Sequence, residues 1–95
     1  MKFLEVYHKL KEYDDWKFSI SFHYHEDDTP LLLIESEIER ITLDHSSDAG
    51  FFVTIFTEES LISFCESQWL PHVGEEYITF GSKIDDGVHW IIEFC

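Results

Sequence analysis

Phe3, Val6, Tyr7, Leu10 and Tyr13 recur at three- and four-residue spacing, with Lys2, Glu5, Lys9 and Glu12 between them. That period gathers the apolar side chains on one side of a helix and predicts an amphipathic helix over residues 2 to 13. After Asp14-Asp15 the period changes to two. Trp16, Phe18, Ile20, Phe22 and Tyr24 face one way, and Lys17, Ser19, Ser21, His23 and His25 the other. This alternation predicts a strand with one buried face, and a slip of one residue would expose five large side chains.

Glu26-Asp27-Asp28-Thr29-Pro30 reads as a polar connection. Residues 31 to 43 admit two readings. As a strand, Leu32, Ile34 and Ile38 lie on one face and Glu35, Glu37 and Glu39 on the other. The parity then switches to Ile41 and Leu43, which implies a bulge near Glu39-Arg40. As a helix, Thr29 caps, Pro30 takes the first position, and Leu31, Ile34, Ile38 and Ile41 form the stripe. The β-branched content and the hairpin-like link favour the strand.

Asp44 to Gly50 is polar and turn-rich. Phe51 to Phe56 is apolar on both faces, as a central strand is. Thr57 is positioned to cap a second helix over residues 58 to 69, with Glu58 and Glu59 in its first turn, Leu61, Phe64, Cys65 and Trp69 as its stripe, and Pro71 as its stop. Tyr77 to Phe80 and Val88 to Phe94 read as two strands joined through an Asp86-Gly87 turn. The expected fold is therefore α+β, in the order α-β-β-β-α-β-β: an antiparallel sheet of about five strands with two helices on one face, forming one domain over residues 1 to 95.

Charge adds what the pattern does not. Twenty Asp and Glu against six Lys and Arg give a net charge of -14. Residues 1 to 17 are balanced, with Lys2, Lys9, Lys11 and Lys17 against Glu5, Glu12, Asp14 and Asp15. Beyond them only Arg40 and Lys83 oppose sixteen acids. Such a surface disfavours direct contact with nucleic acid or anionic membrane, both of which require cations. A basic protein partner fits it. An aromatic content of 17% is too high for a disordered acidic tail. No apolar run reaches the roughly 20 residues of a membrane span, and the start lacks a secretory apolar core, so the expected location is the cytoplasm. Cys65 and Cys95 are too few and too far apart for a disulfide framework or zinc motif, and read as reduced thiols.

Motifs for catalysis are missing from the sequence. Gly50, Gly74, Gly81 and Gly87 stand singly, with no phosphate-binding loop, no Gly-x-Ser-x-Gly elbow and no His-Glu-x-x-His. The chain is read as a non-enzyme without a cofactor. His23-Tyr24-His25 has the spacing for two ligands on one strand face, but a third is unspecified and a solvated polar face explains the pair as well, so no metal is expected.

The acids singled out for partner binding are Glu35, Glu37 and Glu39, with Glu26, Asp27, Asp28, Asp85 and Asp86. On one strand face, the three glutamates would stand at about 6.8 Å intervals and mimic a row of phosphates. Their mutual repulsion costs stability, which invites a functional reading beside that of an ordinary solvated face. Among the aromatics, Trp69, at the end of the expected second helix, is the candidate exposed anchor, while Trp16 and Trp90 read as core.

A small, acidic, aromatic-rich α+β chain with no catalytic motif resembles the immunity proteins that neutralise bacterial nuclease toxins. The resemblance is one of type, carried by size, charge and composition over the whole chain. It implies that carboxylates cover a basic active site that normally holds nucleic-acid phosphates, with fast, salt-sensitive association. Two alternatives keep the same surface: a nucleic-acid mimic that inhibits a DNA-binding defence complex, and a non-catalytic subunit or adaptor. A sheet edge or the second helix could also support a homo-oligomer.

Overall fold

The computed structural model describes residues 2–13, 16–24 and 29–94. Within them one helix, α1 (Lys2–Glu12), is followed by eight strands: β1 (Lys17–Tyr24), β2 (Leu32–Glu37), β3 (Arg40–Ser46), β4 (Gly50–Phe56), β5 (Leu61–Cys65), β6 (Trp69–Val73), β7 (Tyr77–Ser82) and β8 (Val88–Phe94). They form a five-stranded sheet in the order β2-β1-β8-β7-β6 and a three-stranded sheet in the order β3-β4-β5, antiparallel throughout. The chain is thus mostly β. The expected α+β fold with two helices over a single sheet of five strands is overturned.

The error lies in residues 58 to 69. Leu61, Phe64, Cys65 and Trp69 have helical spacing, yet Ile62 and Phe64 also alternate, and in β5 they face Ile55 and Val53 of β4. Thr57 caps no helix and instead closes a turn. Its Oγ1 accepts from the Ser60 N–H at 3.1 Å, and its own N–H donates to the Ser60 carbonyl at 2.9 Å, closing the β4–β5 turn. A Thr that can cap a helix can equally close a tight turn, because both uses satisfy a local N–H. Trp69 then opens β6, and Pro71 lies inside that strand rather than ending a helix. It is tolerated there because β6 is the outer strand of its sheet.

Other elements follow their patterns. Phe3, Val6 and Leu10 bury the α1 stripe, each side chain contributing about 1.5–3 kcal/mol on removal from water. In β1, Phe18 and Ile20 are fully buried, while Trp16 and Tyr24 at the two ends of the pattern are exposed. Residues 31 to 43 take the strand form, but the expected bulge is a crossover: Ile38 and Glu39 carry the chain from the larger sheet to the smaller. Ile38 plugs the core there at 1% exposure. The polar stretch from Asp44 continues β3 as far as Ser46, whose Oγ accepts from the N–H groups of Asp48 and Ala49 in the turn.

The core lies between the sheets and α1. Phe64 of β5 stacks on Phe80 of β7, Phe3 of α1 meets Phe80, and Tyr13 stacks on Phe94 of β8 at 4.0 Å. α1 also lies against β3 and β4 of the smaller sheet and β6 of the larger. These inter-layer ring contacts fall on β7 and β8, and leave β2 at the far margin of the larger sheet.

Candidate functional site

β2 pairs with β1 on one side, Lys17 opposite Glu37, Ser19 opposite Glu35 and Ser21 opposite Leu33 on one face, and Phe18, Ile20 and Phe22 opposite Ser36, Ile34 and Leu32 on the other. Its second side is unpaired among the described residues. Leu31, Leu32, Leu33 and Ile34 are exposed at 67, 45, 55 and 39%. The alternation of β2 would ordinarily sink Leu32 and Ile34 into the core. They remain in solvent because the inter-sheet packing is centred two and three strands away.

Glu35 and Glu37 project from the outer face of β2 and are exposed, as the sequence spacing requires. Glu39 does not continue their row. It lies on the crossover, with its N–H donated to the Phe56 carbonyl at 2.8 Å, and its neighbour across a surface depression of about 420 Å³ is Glu58. That depression is lined by Ser36, Glu37, Ile38, Glu39 and Glu58, and a second, of about 300 Å³, by Lys17, Phe18, Glu35, Ser36 and Glu37. The two meet at Ser36–Glu37. Among the described residues no cation lies within ion-pair distance of Glu35, Glu37, Glu39 or Glu58.

The remaining candidates are not part of this group. Asp85 and Asp86 are exposed in the β7–β8 turn, where Asp85 Oδ1 accepts from the Gly87 N–H at 3.1 Å. By register the turn lies at the sheet end nearest Leu32, since Val88 is level with Tyr24 and Trp90 with Phe22. Glu26, Asp27 and Asp28 lie outside the described residues, as do His25 and Cys95. Trp69 is no exposed anchor: it is half-buried against the core, edge-on to Phe64. The exposed tryptophan is Trp16, at 51%, just ahead of β1.

His23 also departs from expectation. It lies on the outer face of β1, yet it is only 8% exposed, with Nε2 3.0 Å from Ser21 Oγ and its ring stacked on His89 at 5.0 Å. Among the described residues no three His, Cys, Asp or Glu side chains converge on a metal-sized site. Cys65 is a half-buried thiol beside Ser67.

Two features escaped sequence reasoning. Glu58 was assigned to a helix that does not form, and its approach to Glu39 depends on long-range pairing. The exposure of Leu31 to Ile34 had one available signal, four apolar residues in succession, which a strand can bury only if both faces are covered.

No protein-family model matches the chain, and no curated protein matches it. Among solved structures, the crystal structure of the Bacillus subtilis YojF protein is similar: TM-score 0.59 at 16% identity, over 95% of this chain and 87% of that one. The likeness is one of fold. Among the described residues no helix is long and apolar enough to cross a membrane.

Proposed function

We propose that this chain is a non-catalytic binding protein that captures a basic protein partner along the acidic margin of its larger sheet, in the manner of an immunity protein covering a nuclease toxin. One observation carries the reading: Glu35 and Glu37 stand exposed on a strand edge that is unpaired among the described residues, with Glu39 and Glu58 on the neighbouring crossover depression, and no cation of the described residues lies at ion-pair distance. Carboxylates this numerous on a chain of net charge -14 repel one another, Glu35 and Glu37 having only Lys17 beside them on β1, and the repulsion is relieved by a cationic surface. The two depressions flanking Ser36–Glu37 are surface features rather than closed cavities, which suits contact with a macromolecule better than sequestration of a small substrate.

The test is capture from a lysate of the source at about 50 mM and about 0.5 M salt, where screening lengths differ several-fold. Wild-type chain and the Glu35→Gln/Glu37→Gln variant are compared, and the recovered protein is identified and assayed for nuclease activity. A basic nuclease held stoichiometrically by the wild type, inhibited by it and released by the variant is the expected result. Equal retention by both proteins at low salt would remove the glutamates from the interface.

A further inference from the structure

Open strand edges are hazards because their free N–H and C=O groups recruit other strands, and folded proteins guard them with proline, charge or a covering element. The larger sheet guards one of its edges. β6 carries Pro71 and lies against α1. β2, at the opposite edge, holds two charges, both in its C-terminal half, and its N-terminal half presents Leu31 to Ile34. Consecutive exposed apolar residues of this kind are a defect in a folded chain unless something docks on them.

We propose that β2 is a strand-addition site for an extended segment of the basic partner, which pairs antiparallel with it and extends the larger sheet. This deepens the preceding reading and rests on Glu35 and Glu37 as partner contacts. Antiparallel pairing matches every ladder among the described residues and is slightly the more stable of the two modes. It also fixes the order of residues in the guest. Glu37, Glu35 and Leu33 share the outer face, with Leu31 exposed just ahead of the strand, so the guest strand presents, from its N-terminus, two alternating basic residues followed by apolar ones. The residues between them fall opposite Ser36, Ile34 and Leu32 on the other face.

Charge selects this occupant over a second copy of the chain. Two β2 strands paired about Ile34 would set Glu35 diagonal to its own symmetry mate at about 7–8 Å, with no cation between. Two chains of net charge -14 would also meet edge to edge. A basic guest meets the same glutamates favourably, and main-chain bonds supply affinity while alternate side chains supply specificity.

The probe is a fluorescein-labelled peptide, Lys-Thr-Lys-Val-Leu-Val-Leu, followed by fluorescence anisotropy at about 50 mM salt. Two relatives are N-methylated on alternate amides, one along each edge of the extended peptide, which removes ladder donors and keeps the charge. A reversed-order peptide completes the set. Expected are saturable binding of the parent, a loss of about ten-fold on methylating one edge but not the other, and weaker binding of the reversed peptide. Glu35→Gln/Glu37→Gln and Leu31→Lys/Leu33→Lys should each weaken the parent by about ten-fold. Leu33→Thr, which keeps strand propensity, gives a smaller loss in the same direction and guards against a variant that fails to fold.

Equal binding of the parent and both methylated peptides would overturn strand addition while leaving the acidic surface as the partner site. Unchanged affinity of Glu35→Gln/Glu37→Gln would overturn both. No saturable binding of the parent overturns strand addition, and so does a homodimer in sedimentation equilibrium that Leu31→Lys/Leu33→Lys dissociates, since the guest is then a second copy.

Discussion

The ring of Phe64 lies flat on that of Phe80, centroids 3.9 Å apart and planes within 1°, and this contact joins the smaller sheet to the larger. Phe64 also meets Trp69 and Trp90 edge-on, so one side chain of β5 ties together β6, β7 and β8. Phe64→Ala should therefore cost about 3–5 kcal/mol in urea unfolding, and Phe64→Leu under about 1.5 kcal/mol. A loss below about 1 kcal/mol for the alanine variant would mean that the sheets are held together elsewhere.

Gly50 opens β4 with φ of 77°, a left-handed conformation, and a Cβ built on it would fall 2.6 Å from Glu66 Oε1. Glu66 is constrained there because its Oε1 accepts from the Phe51 N–H and its own N–H donates to the Phe51 carbonyl. Gly50→Ala should lower stability by about 1–2 kcal/mol, from backbone strain and displacement of Glu66. Gly81→Ala is the control, having no heavy atom within 4 Å of the added Cβ, and should change the thermal midpoint much less.

Strands with clean alternation or apolar runs were legible from the sequence: β1, β4 and the β7–β8 hairpin emerge near their expected bounds, as does α1. The second helix was not legible, because Leu61, Phe64 and Cys65 satisfy both periods and Thr57 serves a turn as well as a cap. Pro71 misled in the same way, since a proline stops a helix but is admitted by an edge strand, and edge position is a property of the assembled sheet. The site was half legible. Spacing alone put Glu35 and Glu37 on one face, whereas Glu39 left the row because the chain changes sheets at Ile38, which no local pattern announces.

Surface charge should make stability depend on salt. With sixteen acids facing Arg40 and Lys83 beyond residue 17, mutual repulsion acts on the folded state and is screened as the Debye length shortens to about 8 Å at 0.15 M salt. The thermal midpoint should rise between about 10 mM and about 300 mM sodium chloride, at about 4–8 °C for each kcal/mol of repulsion relieved. A midpoint that falls over this range would show that attractive pairs outweigh the repulsion.

Stability and association can be set against each other at the glutamates. Glu35 and Glu37 stand two residues apart on the outer face of β2, and Glu39 and Glu58 share the depression beside the crossover. If these groups serve only solubility, replacing them with Gln should relieve repulsion and do nothing else. If they serve a basic partner, the same change should keep or raise stability, by about 0.2–1 kcal/mol per close pair, and slow association. The expected result is the second, read by stopped-flow against the captured partner. Glu35→Gln/Glu37→Gln and Glu39→Gln/Glu58→Gln should each reduce the association rate at low salt and converge on wild type near 0.5 M, where the screening length is about 4 Å. A drop for the first pair alone would confine the interface to β2, and a drop for the second alone would move it to the crossover. Equal rates for all three proteins at low salt would return the glutamates to the ordinary solvated surface.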